Sequence, residues 1–213
     1  TCISCGTAVP RKAIQQAGLS NDMGAQLLAI VAEGNRRRHY LAPTTDHVVA
    51  ANLAAPSGVP DADLPNDPRN VWTPLYGLKT LADLFTPRQL TALTTFSDLV
   101  GEARNRVKSD ALTSGLLDDG VGLEAGESGA SAYADSVAVY LALAQSRMAD
   151  MCNSLVTWSP SADQAVHLFG RQAIPMVWDF AETQPLSTKN GGGFAVSLGN
   201  LAKAIPHGRV GGH

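Results

Sequence analysis

Apolar residues recur every three or four positions in two long stretches of the chain. Leu90, Leu93, Phe96, Val100, Ala103 and Val107 form the first stripe. It follows Thr86-Pro87-Arg88-Gln89, a capping box with proline at the first helical position, where the missing N–H costs nothing. The pattern predicts a helix from 87 to about 112, about 39 Å long at 1.5 Å per residue. Tyr133, Val137, Tyr140, Leu141, Ala144, Met148, Met151 and Leu155 form the second stripe, which predicts a helix over roughly 131–156. Each stripe needs cover. An antiparallel helix pair is therefore expected, with Leu93, Phe96, Val100, Tyr140, Ala144 and Met148 at the contact.

Nearer the N-terminus the periodicity shortens. Residues 25–33, AQLLAIVAE, are apolar on both faces, as in a buried strand, and Gly34-Asn35 is a two-residue turn that tolerates positive φ. Residues 36–42, RRRHYLA, read as the return strand, so a β-hairpin is expected over 26–42. Shorter helices are expected over 10–18, closed by Gly18; from a Thr45 or Asp46 cap to before Pro56; from the capping box at Ser161 to about 170; from near Ile174, with Pro175 in the first turn; and over 194–204. The expected fold class is mainly α: an antiparallel long-helix pair, additional short helices and a small N-terminal β-hairpin. Residues 1–55 hold the hairpin. Residues 56–79, with five prolines, cannot form regular structure and form an ordered surface connection pinned by Val71, Trp72, Leu75, Tyr76 and Leu78. Residues 80–213 are helical and are expected to form one compact unit with 1–55. Between the long helices, 113–130 is glycine-rich and acidic, which reads as a mobile solvated loop, with an ordered functional loop as the other reading.

Composition narrows the classes. Among the 213 residues, 16 basic and 19 acidic side chains give a net charge of −3, and charged residues make up 16%, below the roughly 25% usual for soluble domains. A strongly basic nucleic-acid domain and a disordered chain are both disfavoured. No run of 18 apolar residues occurs. The N-terminal residues lack the basic-then-apolar order of a secretory signal. The cysteines, Cys2, Cys5 and Cys152, are odd in number with one C-x-x-C pair, which points to an intracellular, cytoplasmic protein with a metal or redox site. Opening on that pair, the chain reads as a piece of something longer.

Candidate chemistry is sparse. Cys2 and Cys5 have the spacing of one zinc knuckle, half of the four ligands that a structural zinc needs; His39 and His47 are the nearest other donors but lack a recognisable ligand spacing. Cys152 falls on a helical apolar stripe and reads as core. Gly191-Gly-Gly193 precedes a helix but follows no apolar strand, and no G-x-G-x-x-G, Walker lysine, G-x-S-x-G or H-E-x-x-H occurs. His167 reads as a surface or core histidine rather than a base. Arg36, Arg37 and Arg38 adjoin the hairpin turn, with Arg36 and Arg38 expected on one face. They are candidate phosphate contacts, or a charged edge that blocks strand pairing. Arg104, Arg106 and Lys108 read as solvated charges. Arg171, beside an apolar run, suits a buried ion pair or a contact to another domain.

Several runs together carry a resemblance: CISCGTAVP at the N-terminus, MGAQLLAIVAEG (23–34), YLAPT (40–44), WTPLYGL (72–78), LFTPRQLTALTTFSDLV (84–100), SAYADSVAVYLALA (131–144) and RQAIPMVWDFAE (171–182). In this order they resemble the large bacterial adenine-specific DNA methylases that contain a zinc ribbon, some of which are associated with anti-phage gene clusters. That family uses a glycine-rich loop for S-adenosylmethionine and an Asp/Asn-Pro-Pro-aromatic motif that holds a flipped adenine. Neither motif occurs here. The resemblance implies a region between the two, starting at the second half of the zinc ribbon, with Cys2 and Cys5 as zinc ligands and no catalytic or cofactor-binding residue of its own. It implies an accessory domain that positions DNA or buttresses the catalytic domain of the same chain. The alternative is a structural or protein-interaction module without nucleic-acid contact.

Overall fold

A computed structural model describes residues 1–2, 4–70, 72–170 and 173–205; Val71 and Arg171 lie outside them. The described residues form five α-helices and two antiparallel two-stranded hairpins, a mainly α architecture with a small hairpin near the N-terminus. The chain divides into two compact units, one of residues 1–91 and 171–176, the other of residues 92–170 and 177–213. The division falls within the first long helix, well after the proline-rich connection.

In the first unit, α1 (Arg11–Leu19) packs on a 3-10 turn at Pro74–Tyr76. Gly18 makes that approach feasible: a Cβ there would stand 2.5 Å from the Tyr76 carbonyl oxygen. Close packing, not helix termination, is what requires the glycine, since α1 continues to Leu19. The Arg11 guanidinium lies 4.8 Å from the centre of the Trp72 ring. Of the expected pinning residues, Trp72 and Leu75 are exposed and Tyr76 and Leu78 half-buried; among the described residues of the connection, Leu64 and Thr73 are the buried ones. The connection is held by backbone bonds from Leu64 N–H to Lys79 O and from Leu81 N–H to Ala62 O, at 2.7 and 2.9 Å. Strands β1 (Ile30–Glu33) and β2 (Arg38–Leu41) pair antiparallel, and α2 (Thr45–Ala51) follows.

In the second unit, α3 (Pro87–Thr113, its first turn belonging to the other unit) runs antiparallel to α4 (Ala130–Met151). Two polar contacts fix their direction: Gln145 Nε2 donates to the Leu93 carbonyl at 2.9 Å, and Arg104 Nε donates to Asp135 at 2.6 Å. The α3 start is the expected capping box, with Thr86 N–H on Gln89 Oε1 at 2.8 Å and Gln89 N–H on Thr86 Oγ1 at 3.3 Å.

The contact surface differs from the expectation in part. Leu93, Ala144 and Met148 are buried and Phe96 and Val100 half-buried, but Tyr140 is 40% exposed and Tyr133 of the same stripe 53%. The inward face of α4 is built from Ala130, Ser131, Ala132, Ala134, Ala144 and Met148. Small side chains let neighbouring backbones approach closely, and the large tyrosines are left outside. α5 (Phe194–Ala204) packs on α4, and its Phe194 stacks on Phe96 with ring centres 4.8 Å apart.

Two further expectations fail. The segment from Ser161 is not a helix: β3 (Thr157–Ser159) and β4 (Gln164–Val166) form a hairpin whose turn includes Asp163 at positive φ, and the capping-box residues serve that turn. Residues 173–182 form no helix near Ile174. There Ala181 N–H bonds to the Val156 carbonyl at 2.8 Å instead.

Candidate nucleic-acid interface and half metal site

The hairpin tip is built by a turn shifted one residue from the expected one. Glu33 pairs with Arg38, Gly34 N–H donates to Arg37 O at 2.8 Å, and Asn35 and Arg36 are the central residues. Arg36 sits at φ +59°, a left-handed conformation that is costly for a residue with a Cβ. Arg36 and Arg37 therefore belong to the turn, and only Arg38 belongs to the strand. The expected sharing of one strand face by Arg36 and Arg38 is replaced by this arrangement. All three arginines are exposed. Gly34 leaves room for the His39 imidazole ring, which a Cβ there would displace, and a Cβ would also stand 3.1 Å from the Arg37 carbonyl oxygen. His39 is thus half-buried against the turn, on the face of Ile30 and Ala32; the opposite face exposes the cross-strand pair Val31 and Tyr40.

The Cys2–Thr7 turn closes on itself. Gly6 N–H donates to Cys2 O at 2.9 Å, Cys2 N–H donates to Thr7 O at 2.8 Å, and Gly6 lies at φ +70°. The Cys5 Sγ is 3.3 Å from Thr7 Oγ1, and the Thr7 hydroxyl holds the Cys5 thiol below its ordinary pKa. Two free cysteines three positions apart on a tight turn fit half of a tetrahedral thiolate set. No group of three or more His, Cys, Asp or Glu able to hold a metal occurs among the described residues. His47 is engaged elsewhere: its Nδ1 accepts Thr44 N–H at 3.0 Å and lies 2.9 Å from Thr44 Oγ1, forming the cap of α2.

The glycine-rich loop between the long helices is ordered. Asp118 accepts Ser131 N–H at 3.0 Å and Ser131 Oγ–H at 3.1 Å, and Lys108 Nζ is 2.9 Å away. Lys108 first, then Ser131, hold the Asp118 carboxyl well below the usual carboxylate range. Asp135 accepts Leu123 N–H at 3.0 Å and Arg104 Nε–H, and these also lower its pKa, the Leu123 amide most. Arg104 and Lys108, one turn apart on α3, are structural ion-pair partners rather than solvated charges, whereas Arg106 is 85% exposed with only a 3.9 Å approach to Asp110. Arg104 and Lys108 share a face of α3 at i, i+4 spacing, but their partners Asp135 and Asp118 lie too far along the chain for a local pattern to report them.

The remaining candidates are structural. Cys152 is buried, and burial pushes its thiol up to about 11. His167 Nδ1 lies 3.4 Å from Asp150 Oδ2 at the end of α4. Gly192 and Gly193 pack against Thr183 and the Ser187 carbonyl without room for a Cβ, so close packing accounts for them. No described helix is long and apolar enough to cross a membrane. Compared with protein-family models, curated proteins and solved structures, the chain finds no match.

Proposed function

We propose that the chain is an accessory domain of an S-adenosylmethionine-dependent DNA adenine methyltransferase, and that its β1–β2 tip touches the DNA phosphate backbone. The observation that carries the reading is the tip itself: three consecutive exposed arginines at a tight turn, Arg36 held there at positive φ, in a chain otherwise poor in charge. Guanidinium groups pair with phosphate oxygens in a planar fork and fix position without reading sequence. The ordered runs that resemble the methylase family support the parent activity, and the Cys2–Thr7 turn supports the second half of a zinc ribbon. Cys2 and Cys5 would hold the zinc, which would supply a rigid cross-link between this turn and another two-cysteine turn. S-Adenosylmethionine and the flipped base belong to other parts of the parent enzyme, and this domain's own residues supply orientation only.

The alternative, a protein-interaction module without DNA contact, is favoured by the net charge of −3. The encoding gene decides the parentage. A Cys-x-x-Cys pair and a glycine-rich cofactor loop before this region, with an Asp/Asn-Pro-Pro-aromatic motif after it, are the expected result. Flanks lacking both the loop and the Pro-Pro motif would contradict the reading.

A further inference from the structure

The loop between α3 and α4 turns the Asp118 carboxylate inward and its leucines outward. Asp118 is bound by Lys108 and Ser131, and Asp135 reaches back to the Leu123 amide. Ala130 N–H donates to Leu117 O at 2.9 Å, and Leu116 N–H donates to Ala111 O at 3.0 Å. These bonds fix the backbone on which Leu112, Leu116, Leu117, Val121 and Leu123 are all exposed, Leu117 by 86%. Single exposed leucines are ordinary, but five large apolar residues exposed within twelve positions, from the last turn of α3 through the fastened loop, give the apolar density that marks an interaction site. Asp119, Glu124 and Glu127 lie in the same loop, and none has a cationic partner among the described residues.

We infer that this loop is a docking surface for a basic amphipathic helix of a partner protein. The partner's apolar stripe would cover Leu117 and its neighbours, and its lysines or arginines would face Asp119, Glu124 and Glu127. Charge complementarity selects this occupant. A second copy of the same loop would bring its acidic residues against these. The inference stands apart from the DNA reading, because it uses none of the hairpin residues.

The test measures binding of a synthetic amphipathic helix of leucine and lysine, and of the same peptide in scrambled order, to the whole chain across a salt series. The ordered peptide should bind and the scrambled one should not. Leu117→Ser with Val121→Ser should weaken binding about tenfold or more, since both side chains are exposed and the fold should persist, as checked by an unchanged melting temperature. Glu124→Gln with Glu127→Gln should flatten the salt dependence. Equal binding of both peptides, no binding, or indifference to the Leu117/Val121 substitutions would overturn the inference.

Discussion

Asp118 caps α4 from thirteen residues away, receiving both the amide and the hydroxyl of Ser131. The residue at the N-cap position itself is Gly129, which has no side chain to offer. A carboxylate there satisfies helix N–H groups that would otherwise lack partners and sits at the positive end of the helix dipole. Lys108 balances its charge. One side chain thus joins the end of α3, the loop and the start of α4.

Acid should therefore loosen this end of the helix pair. The Asp118 carboxyl is held below its unfolded value of about 3.9, so its contribution is fully present above about pH 4 and is lost as pH falls through the folded-state value. Asp118→Asn should lower the melting temperature at neutral pH. The gap from the unmodified protein should narrow as pH drops below about 4. Thermal melts at a series of pH values measure this, and a gap independent of pH would contradict it.

Met148 and Tyr140 separate the inner from the outer face of α4. Met148 is fully buried, so Met148→Ala should cost about 2–5 kcal/mol in urea unfolding. Tyr140→Ala, at an exposed position, should stay within about 0.5 kcal/mol. Equal losses would mean that the large stripe is the packed one.

The two long helices and the presence of an N-terminal hairpin were legible because helical periodicity, the Thr86–Gln89 box and a glycine between two strand-like runs are local signals, but the expected buried strand over 25–33 shrinks to Ile30–Glu33, with Leu28 and Val31 exposed. The inner face of α4 was not, because the helix is apolar nearly all round. Hydrophobic size placed Tyr133 and Tyr140 in the stripe with Ala144 and Met148; the latter two are buried as expected, but close packing uses Ala130 and Ala134, which the pattern passed over, in place of the tyrosines. The second hairpin hid behind Ser161–Gln164, whose residue types suit a helix cap and a turn alike. The loop's order was hidden for another reason. Asp118 finds Lys108 and Ser131 at sequence separations that no local pattern reports. For the hairpin tip, the sequence indicated the three arginines but not the one-residue shift that puts Arg36 at φ +59°.

That shift has a stability signature. Gly34→Ala should destabilise the first unit modestly, because its Cβ would displace the His39 ring and crowd the Arg37 carbonyl oxygen. Arg36→Gly should be neutral or stabilising by up to about 1 kcal/mol, since glycine adopts positive φ freely. Denaturant unfolding of both variants distinguishes this turn from one centred on Gly34-Asn35, for which the order would reverse.

Zinc should bind the chain only loosely. Cys2 and Cys5 provide two thiolates, and the rest of a tetrahedral shell would fall to water or stray donors, forfeiting most of a structural site's affinity. Chelation should remove the metal readily, and Cys2→Ser with Cys5→Ser should abolish its uptake. One stoichiometric, chelator-resistant zinc per chain would show that further ligands of this chain complete the site.

The central claim is that the hairpin tip touches phosphate, and the salt dependence of duplex DNA binding tests it most directly. At net charge −3 the chain should bind weakly at physiological salt, so the measurement starts at low ionic strength. Arg36, Arg37 and Arg38 are replaced together by alanine, with unchanged thermal stability confirmed. The account predicts weaker binding to every sequence, and a log K against log salt slope flatter by about 0.9 for each phosphate that is no longer neutralised. Affinity and slope identical to the unmodified protein would contradict it and leave the three arginines as a charged turn that guards a strand edge.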